Sequence, residues 1–85
     1  MAQLVIQGTF DSCEKEEKNG YTKYIVSIVQ NGYKFRLESK VEILLEKGKE
    51  YMVKFVQFQR KLKTGKGKFN VQYIDSPSDI IAVQD

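Results

Sequence analysis

Apolar residues recur at every second position along most of this chain, which is the pattern of β-strands with one buried face. The clearest case lies between residues 22 and 38, where two alternating segments flank Asn31-Gly32. Asn-Gly is the preferred dipeptide of a two-residue type I′ hairpin turn, because both positions need positive φ. The turn fixes the register of the hairpin. The predicted pairs are Gln30 with Tyr33, Ile28 with Phe35, Val26 with Leu37, and Tyr24 with Ser39.

Three further segments alternate in the same way and predict the other main strands. They cover residues 4–13, 50–60 and 68–75, and the last two flank a glycine-containing loop. Gly8 within the first segment indicates a bend or bulge, where a strand curls around a small barrel. The last residues, 79–85, are expected to form a short closing strand or a docked tail.

The segment between the third and fourth predicted strands follows a different pattern. Val41, Leu44 and Leu45 lie near helical spacing, and Gly48 is placed as a helix stop. One or two helical turns therefore fit residues 39–49.

These elements together predict an all-β fold, a five-stranded OB-fold-like barrel with a short helical turn between strands 3 and 4. Long loops are expected after the first and fourth strands. An SH3-like barrel is the structural alternative, because periodicity alone does not separate the two. With 85 residues, the chain is expected to form a single OB-fold-like domain over residues 1–85.

The composition argues against enzymatic and metal chemistry. The chain has no histidine, so it lacks the commonest general base and the commonest metal ligand. Cys13 is the single cysteine and has no partner for an internal disulfide or a zinc site. We therefore expect no enzymatic activity, no catalytic residues, no metal and no cofactor. The amino terminus does not have the pattern of a signal peptide, and no apolar run approaches the length needed to span a membrane. A cytoplasmic location is therefore expected.

The positive charge is concentrated in one part of the chain. Residues 1–53 carry eight cations and eight anions, residues 54–68 carry six cations and no acid, and residues 69–85 carry three acids. Binding responds to the local potential more than to the total of +3. The basic segment lies at the tip of the predicted fourth–fifth hairpin, and Gly65 and Gly67 allow it to turn or flex.

In OB-folds the loops after strands one and four border the face of strands two and three, and ligands lie in that cleft. Cations and aromatic rings from these segments should therefore meet in one groove, the combination that binds single-stranded nucleic acid. The predicted nucleic-acid-binding residues are Tyr21, Lys23, Lys34, Arg36, Phe58, Arg60, Lys63, Lys66 and Lys68. Phe58 has three interpretations: a stacking platform, an interface residue, or a sign of a bulge near Gln57. Tyr33 is assigned to the core.

Three stretches carry a resemblance to a known family: NGYTKY (19–24), GKEYMV (48–53) and TGKGKFNV (64–71). With these the chain resembles the small single-stranded DNA-binding proteins of phages and other mobile elements, in particular the filamentous-phage gene V type. The resemblance implies a homodimer that coats single-stranded DNA during replication or transfer. It also implies DNA contacts at Tyr21, Lys23 and Tyr24. This chain departs from the family in its longer and more basic late hairpin.

The leading hypothesis is thus a non-enzymatic, largely sequence-nonspecific binder of single-stranded DNA. One alternative is a protein-interaction module of OB or SH3-like type, whose basic hairpin meets an acidic partner. Another is an RNA-binding OB-fold protein, which shares the fold and differs only in its ligand.

Overall fold

The computed structural model describes residues 3–62 and 64–83, and almost all of its regular structure is β-strand. A single turn of 3-10 helix, Pro77–Asp79, precedes the last strand. The six strands are β1 (Gln3–Lys18), β2 (Tyr21–Gln30), β3 (Tyr33–Ser39), β4 (Glu50–Lys61), β5 (Lys68–Ile74) and β6 (Ile80–Ala82).

The first five strands close into a barrel. Their order is β1-β2-β3-β5-β4, and β1 also pairs with β4, which closes the ring. All neighbours are antiparallel except β3 and β5, which pair in parallel at Glu38 with Tyr73 and at Ser39 with Ile74. The fold is thus all-β and consistent with the predicted OB-like barrel. The expected closing strand is β6, which pairs with β4 beyond the end of β5.

The β2–β3 hairpin has the predicted register. All four predicted pairs are present, from Gln30 with Tyr33 to Tyr24 with Ser39. Asn31 and Gly32 have φ values of 50° and 77°, as a type I′ turn requires. The Asn31-Gly32 dipeptide was sufficient to predict this pairing, because a two-residue turn allows only one register of the hairpin.

The loop predicted after the first strand is wrong. β1 continues as a strand through residues 14–18 and turns tightly at Asn19 and Gly20, whose φ values are 54° and 74°. Lys18 therefore pairs with Tyr21, and Glu16 with Lys23. Alternating Glu and Lys residues lack an apolar face, so the hydrophobic pattern gave no sign that pairing continues there.

Gly8 lies where β1 passes from one neighbour to the next. It pairs with Tyr51 of β4, and the following residue, Thr9, pairs with both β4 and β2. A Cβ atom at Gly8 would lie 2.5 Å from the carbonyl oxygen of Val29 and 2.7 Å from Cγ2 of Ile28. Glycine is thus needed for this close approach. The β-bulge itself lies three residues later, between Phe10 and Ser12.

Residues 40–49 are fully described and form no helix, so the expected helical turn is wrong. Ile43 and Leu45 point to the core, whereas Leu44 is 83% exposed. This alternation is that of an extended chain, in which every second residue faces inward. The hydroxyl of Ser39 supports the start of the segment by donating to the Val41 carbonyl at 2.7 Å.

The core fills the barrel with side chains from β1, β2, β3, β4, β5 and the 40–49 segment. Its buried members are Ile6, Phe10, Val26, Ile28, Leu37, Ile43, Tyr51, Val53, Phe55 and Ile74. Tyr33 is not among them, which corrects its assignment to the core. It is 72% exposed because it follows the tight turn at the end of the hairpin.

Candidate functional site

Two hairpins extend past the main core cluster, and their tips are largely exposed. The β1–β2 arm consists of residues 14–18 and 21–25, and the β4–β5 arm of residues 57–61 and 68–72. Most residues near both tips are exposed, and the molecule measures 46 × 27 × 24 Å. The elongated shape gives a surface between the arms that a compact barrel would not have.

An open depression of about 710 Å³ lies between the two arms. We call it the inter-arm groove. Its lining residues are Glu16, Glu17, Lys18, Asn19, Tyr21, Lys23 and Arg60. The first six belong to the β1–β2 hairpin and Arg60 to the β4–β5 arm. Tyr21 is 70% exposed, so its ring is open to a ligand.

Two smaller depressions border the groove and share residues with it. The junction pocket is lined by Tyr21, Thr22, Lys23, Glu38, Ser39, Lys40, Phe58, Arg60, Tyr73 and Asp75. The side groove is lined by Glu16, Lys23, Ile25, Arg36, Glu38, Asn70, Val71 and Gln72. Lys23 lines all three depressions. A ligand that follows them would therefore meet side chains from β1, β2, β3, β4 and β5.

Glu38 lines both the junction pocket and the side groove. Its Oε1 atom is 3.5 Å from Nζ of Lys23 and 3.5 Å from Nη1 of Arg60. The two cations come from different arms, so one carboxylate on β3 connects both sides of the site. The Glu38 side chain is only 17% exposed, whereas those of Lys23 and Arg60 are 36% and 45% exposed.

Phe58 is half-buried beneath Arg60. The Arg60 guanidinium carbon lies 5.5 Å from the centre of the Phe58 ring, within cation–π range, and Tyr73 meets the ring edge-on at 6.2 Å. Pairing of β4 with β5 is continuous from Val56 to Lys61, which removes the interpretation of a bulge near Gln57. Phe58 thus supports the Arg60 guanidinium, which remains partly exposed.

The charge of the site is mixed. Glu16 and Glu17 line the groove together with three cations. Lys15 contacts Glu17 at 3.0 Å, and the hydrogen bond and charge of Glu17 raise the pKa of the Lys15 ammonium. The β1–β2 arm carries three acids and three cations, so its net charge is zero. The β4–β5 arm supplies the positive field, since its charged residues are all cations.

The structure brings five of the predicted site residues together. Tyr21, Lys23, Arg36, Phe58 and Arg60 line the three connected depressions. They come from β2, β3 and β4, so the expected convergence of separate segments is present.

Three of the other four predicted residues do not line these depressions. Lys34 lies near the β2–β3 turn, away from the groove, and pairs with Asp11 beside the β1 bulge at 3.2 Å. Lys66 and Lys68 are exposed at the tip and base of the β4–β5 loop. Lys63 lies outside the described residues. Lys34 was misplaced because facing outward on β3 does not specify which end of the strand a ligand meets.

Sequence reasoning missed the acids of the site and one aromatic ring. Glu16 faces Lys23 across β1 and β2, a pair that follows from treating Asn19-Gly20 as a two-residue turn. Glu38 was not among the predicted site residues. Phe69, in an alternating segment, is 42% exposed and lies opposite Arg60 in the β4–β5 pairing. Alternation did not imply burial there because the arm extends past the core.

A scan against protein-family models and searches of curated proteins and solved structures found no significant match to this chain. The resemblance to filamentous-phage proteins therefore stays a prediction. Among the described residues, no helix has the length and apolar character needed to cross a membrane.

Proposed function

We propose that this protein binds single-stranded DNA without strong sequence preference and without catalysis, through the inter-arm groove and its two bordering depressions. The observation that carries the proposal is the convergence of Tyr21, Lys23 and Arg60 on one open depression. Cations that track phosphates beside aromatic faces that stack bases are the recurring means of binding single strands.

The shape of the site supports a flexible polymer more than a small ligand. The three depressions are open and share lining residues, which come chiefly from the two arms and from β3. Tyr21 offers an exposed ring, and Arg60 offers a guanidinium plane held over Phe58. Both kinds of surface stack on unpaired bases, whichever base is present.

Salt dependence is the first test of this proposal. With about five phosphates neutralised, the logarithm of the association constant for a dT oligomer should fall against the logarithm of salt concentration with a slope of roughly −3 to −4. Fluorescence anisotropy of a labelled dT oligomer at several salt concentrations measures this slope. Weak binding that does not change with salt would contradict an electrostatic groove.

A protein-interaction module is the second candidate, and one observation favours it. Phe69 on the β4–β5 arm and Leu62, which directly follows β4, are exposed apolar residues beside the cations of this arm. An acidic partner with an apolar anchor would fit this surface. Failure to bind dT at low salt would favour this function, whereas stronger binding of oligo-U than of oligo-dT would favour an RNA ligand.

The oligomeric state is part of the same proposal. We propose a homodimer, as the resemblance implies, and a role in replication or transfer of phage or mobile-element DNA in the cytoplasm. Light scattering coupled to size exclusion measures the mass of the free protein against the 9.9 kDa of one chain. A mass of one chain at all concentrations would contradict the dimer while leaving DNA binding open to its own test.

A further inference from the structure

We infer that Lys23 and Arg60 form a phosphate subsite, and that Glu38 occupies this subsite in the free protein. The inference rests on the proposed function and makes it more specific. Binding then exchanges a carboxylate for a backbone phosphate of the polynucleotide. Glu38 sets the affinity by competing for the same two cations.

The geometry at Glu38 is that of a shared anion site. One oxygen, Oε1, lies 3.5 Å from each cation, and the cations belong to opposite sides of the groove. A single anion therefore draws Lys23 and Arg60 to the same point. A phosphate at this point would be contacted by both arms, beside the exposed ring of Tyr21.

The ion pairs are suited to exchange. Charge-assisted hydrogen bonds from nitrogen to oxygen usually measure about 2.7–2.9 Å, so contacts of 3.5 Å are loose. Lys23 and Arg60 also remain partly exposed, while Glu38 is held low on β3 with little exposure. A phosphate can thus approach the two cations from the open side without moving the strand.

The competing charge has a measurable consequence. When phosphate binds, the Glu38 carboxylate stays nearby and opposes it, which weakens binding by like-charge repulsion. Removing that charge should tighten binding and increase the net positive charge that meets the polymer. The salt slope should then become steeper by about 0.7, the value of one additional neutralised phosphate on a single strand.

The test is Glu38→Gln, measured by anisotropy with a labelled dT oligomer at several salt concentrations. We expect binding about threefold to tenfold tighter than wild type, as one partly screened charge pair allows. The matched control is Glu46→Gln, which removes the same charge. It also breaks the ion pair between Glu46 and Lys49, whose charged atoms are 3.1 Å apart. Glu46 lies in the 40–49 segment, so its replacement should change affinity less than about twofold.

Two further variants keep the result interpretable. Glu38→Asp retains the negative charge and should bind the oligomer like wild type. This expectation does not depend on the stability of the Glu38→Gln variant. In a Lys23→Gln, Arg60→Gln background, Glu38→Gln should give no gain beyond that of the Glu46→Gln control. Thermal melting of each variant verifies that it is folded.

The outcomes separate the inference from the proposed function. Tighter binding and a steeper salt slope in Glu38→Gln, but not in Glu46→Gln, support the subsite. Wild-type binding of dT combined with unchanged or weaker binding by folded Glu38→Gln overturns the subsite and leaves the groove in place. No binding of dT by the wild-type protein at low salt overturns the proposed function, and the subsite with it.

Discussion

Replacing Tyr21 with alanine is expected to weaken the binding of a dT oligomer by about 1–3 kcal/mol, or about 5-fold to 150-fold, because one base loses its stacking partner. Tyr21 is 70% exposed and lines the inter-arm groove. Its removal costs the barrel little, since an exposed ring contributes little to the core. The dissociation constant should therefore rise while the melting temperature changes little.

The chain contains a closely matched control for this experiment. Tyr33 also follows an Asn-Gly turn with positive φ at both residues, and it is 72% exposed. Tyr33 lies beside the opposite end of β2 from Tyr21. A ten-residue strand is about 30 Å long, so the two rings are far apart. Tyr33→Ala should leave affinity unchanged. Equal losses in the two variants would show that binding does not depend on the groove.

Alanine at Gly8 is expected to lower the stability of the barrel, although the substitution adds only one methyl group. The added Cβ would lie 2.5 Å from the Val29 carbonyl oxygen, which is backbone and cannot rotate away. Overpacking of this kind costs about 1–3 kcal/mol and sometimes more. For a domain of this size, each kcal/mol lowers the melting temperature by about 4–8 °C.

Gly67→Ala is the control for this substitution. A Cβ at Gly67 would meet only Cδ1 of Leu62, at 3.3 Å, which is the end of a flexible side chain. The melting temperature of this variant should stay within a few degrees of wild type. The expected loss of unfolding free energy is about 0.5 kcal/mol, as for an ordinary surface substitution. A Gly8→Ala protein as stable as wild type would contradict the close approach of β1 to β2.

The sequence predicted those parts of the fold that local chemistry determines. Asn31-Gly32 fixed one hairpin register because only positive-φ residues fit the turn. Period-two alternation located the barrel strands because each has one buried face. The arms were harder to predict, since residues 14–18 pair as a strand without an apolar face. In residues 40–49, the spacing of Val41, Leu44 and Leu45 suggested a helix, although the side chains that face inward are those of Ile43 and Leu45.

The candidate site was predictable to the extent that residues cluster along the chain. Tyr21 and Lys23 are close in sequence, and Arg60 belongs to an obvious basic segment. That Lys23 and Arg60 share Glu38 depends on how the two arms approach each other in three dimensions. Charge counts treated Glu38 as one of several balancing acids, although its position gives it a direct contact with both cations.

The most direct test of the inter-arm groove is to follow the backbone amide signals of the protein by NMR during titration with a dT oligomer at low salt. The largest shifts are expected at residues 21–23, 36–38 and 58–60, with little change at residues 31–34 and 43–48. Shifts confined to β6 and the 40–49 segment, or no shifts at saturating oligomer, would contradict binding through the inter-arm groove.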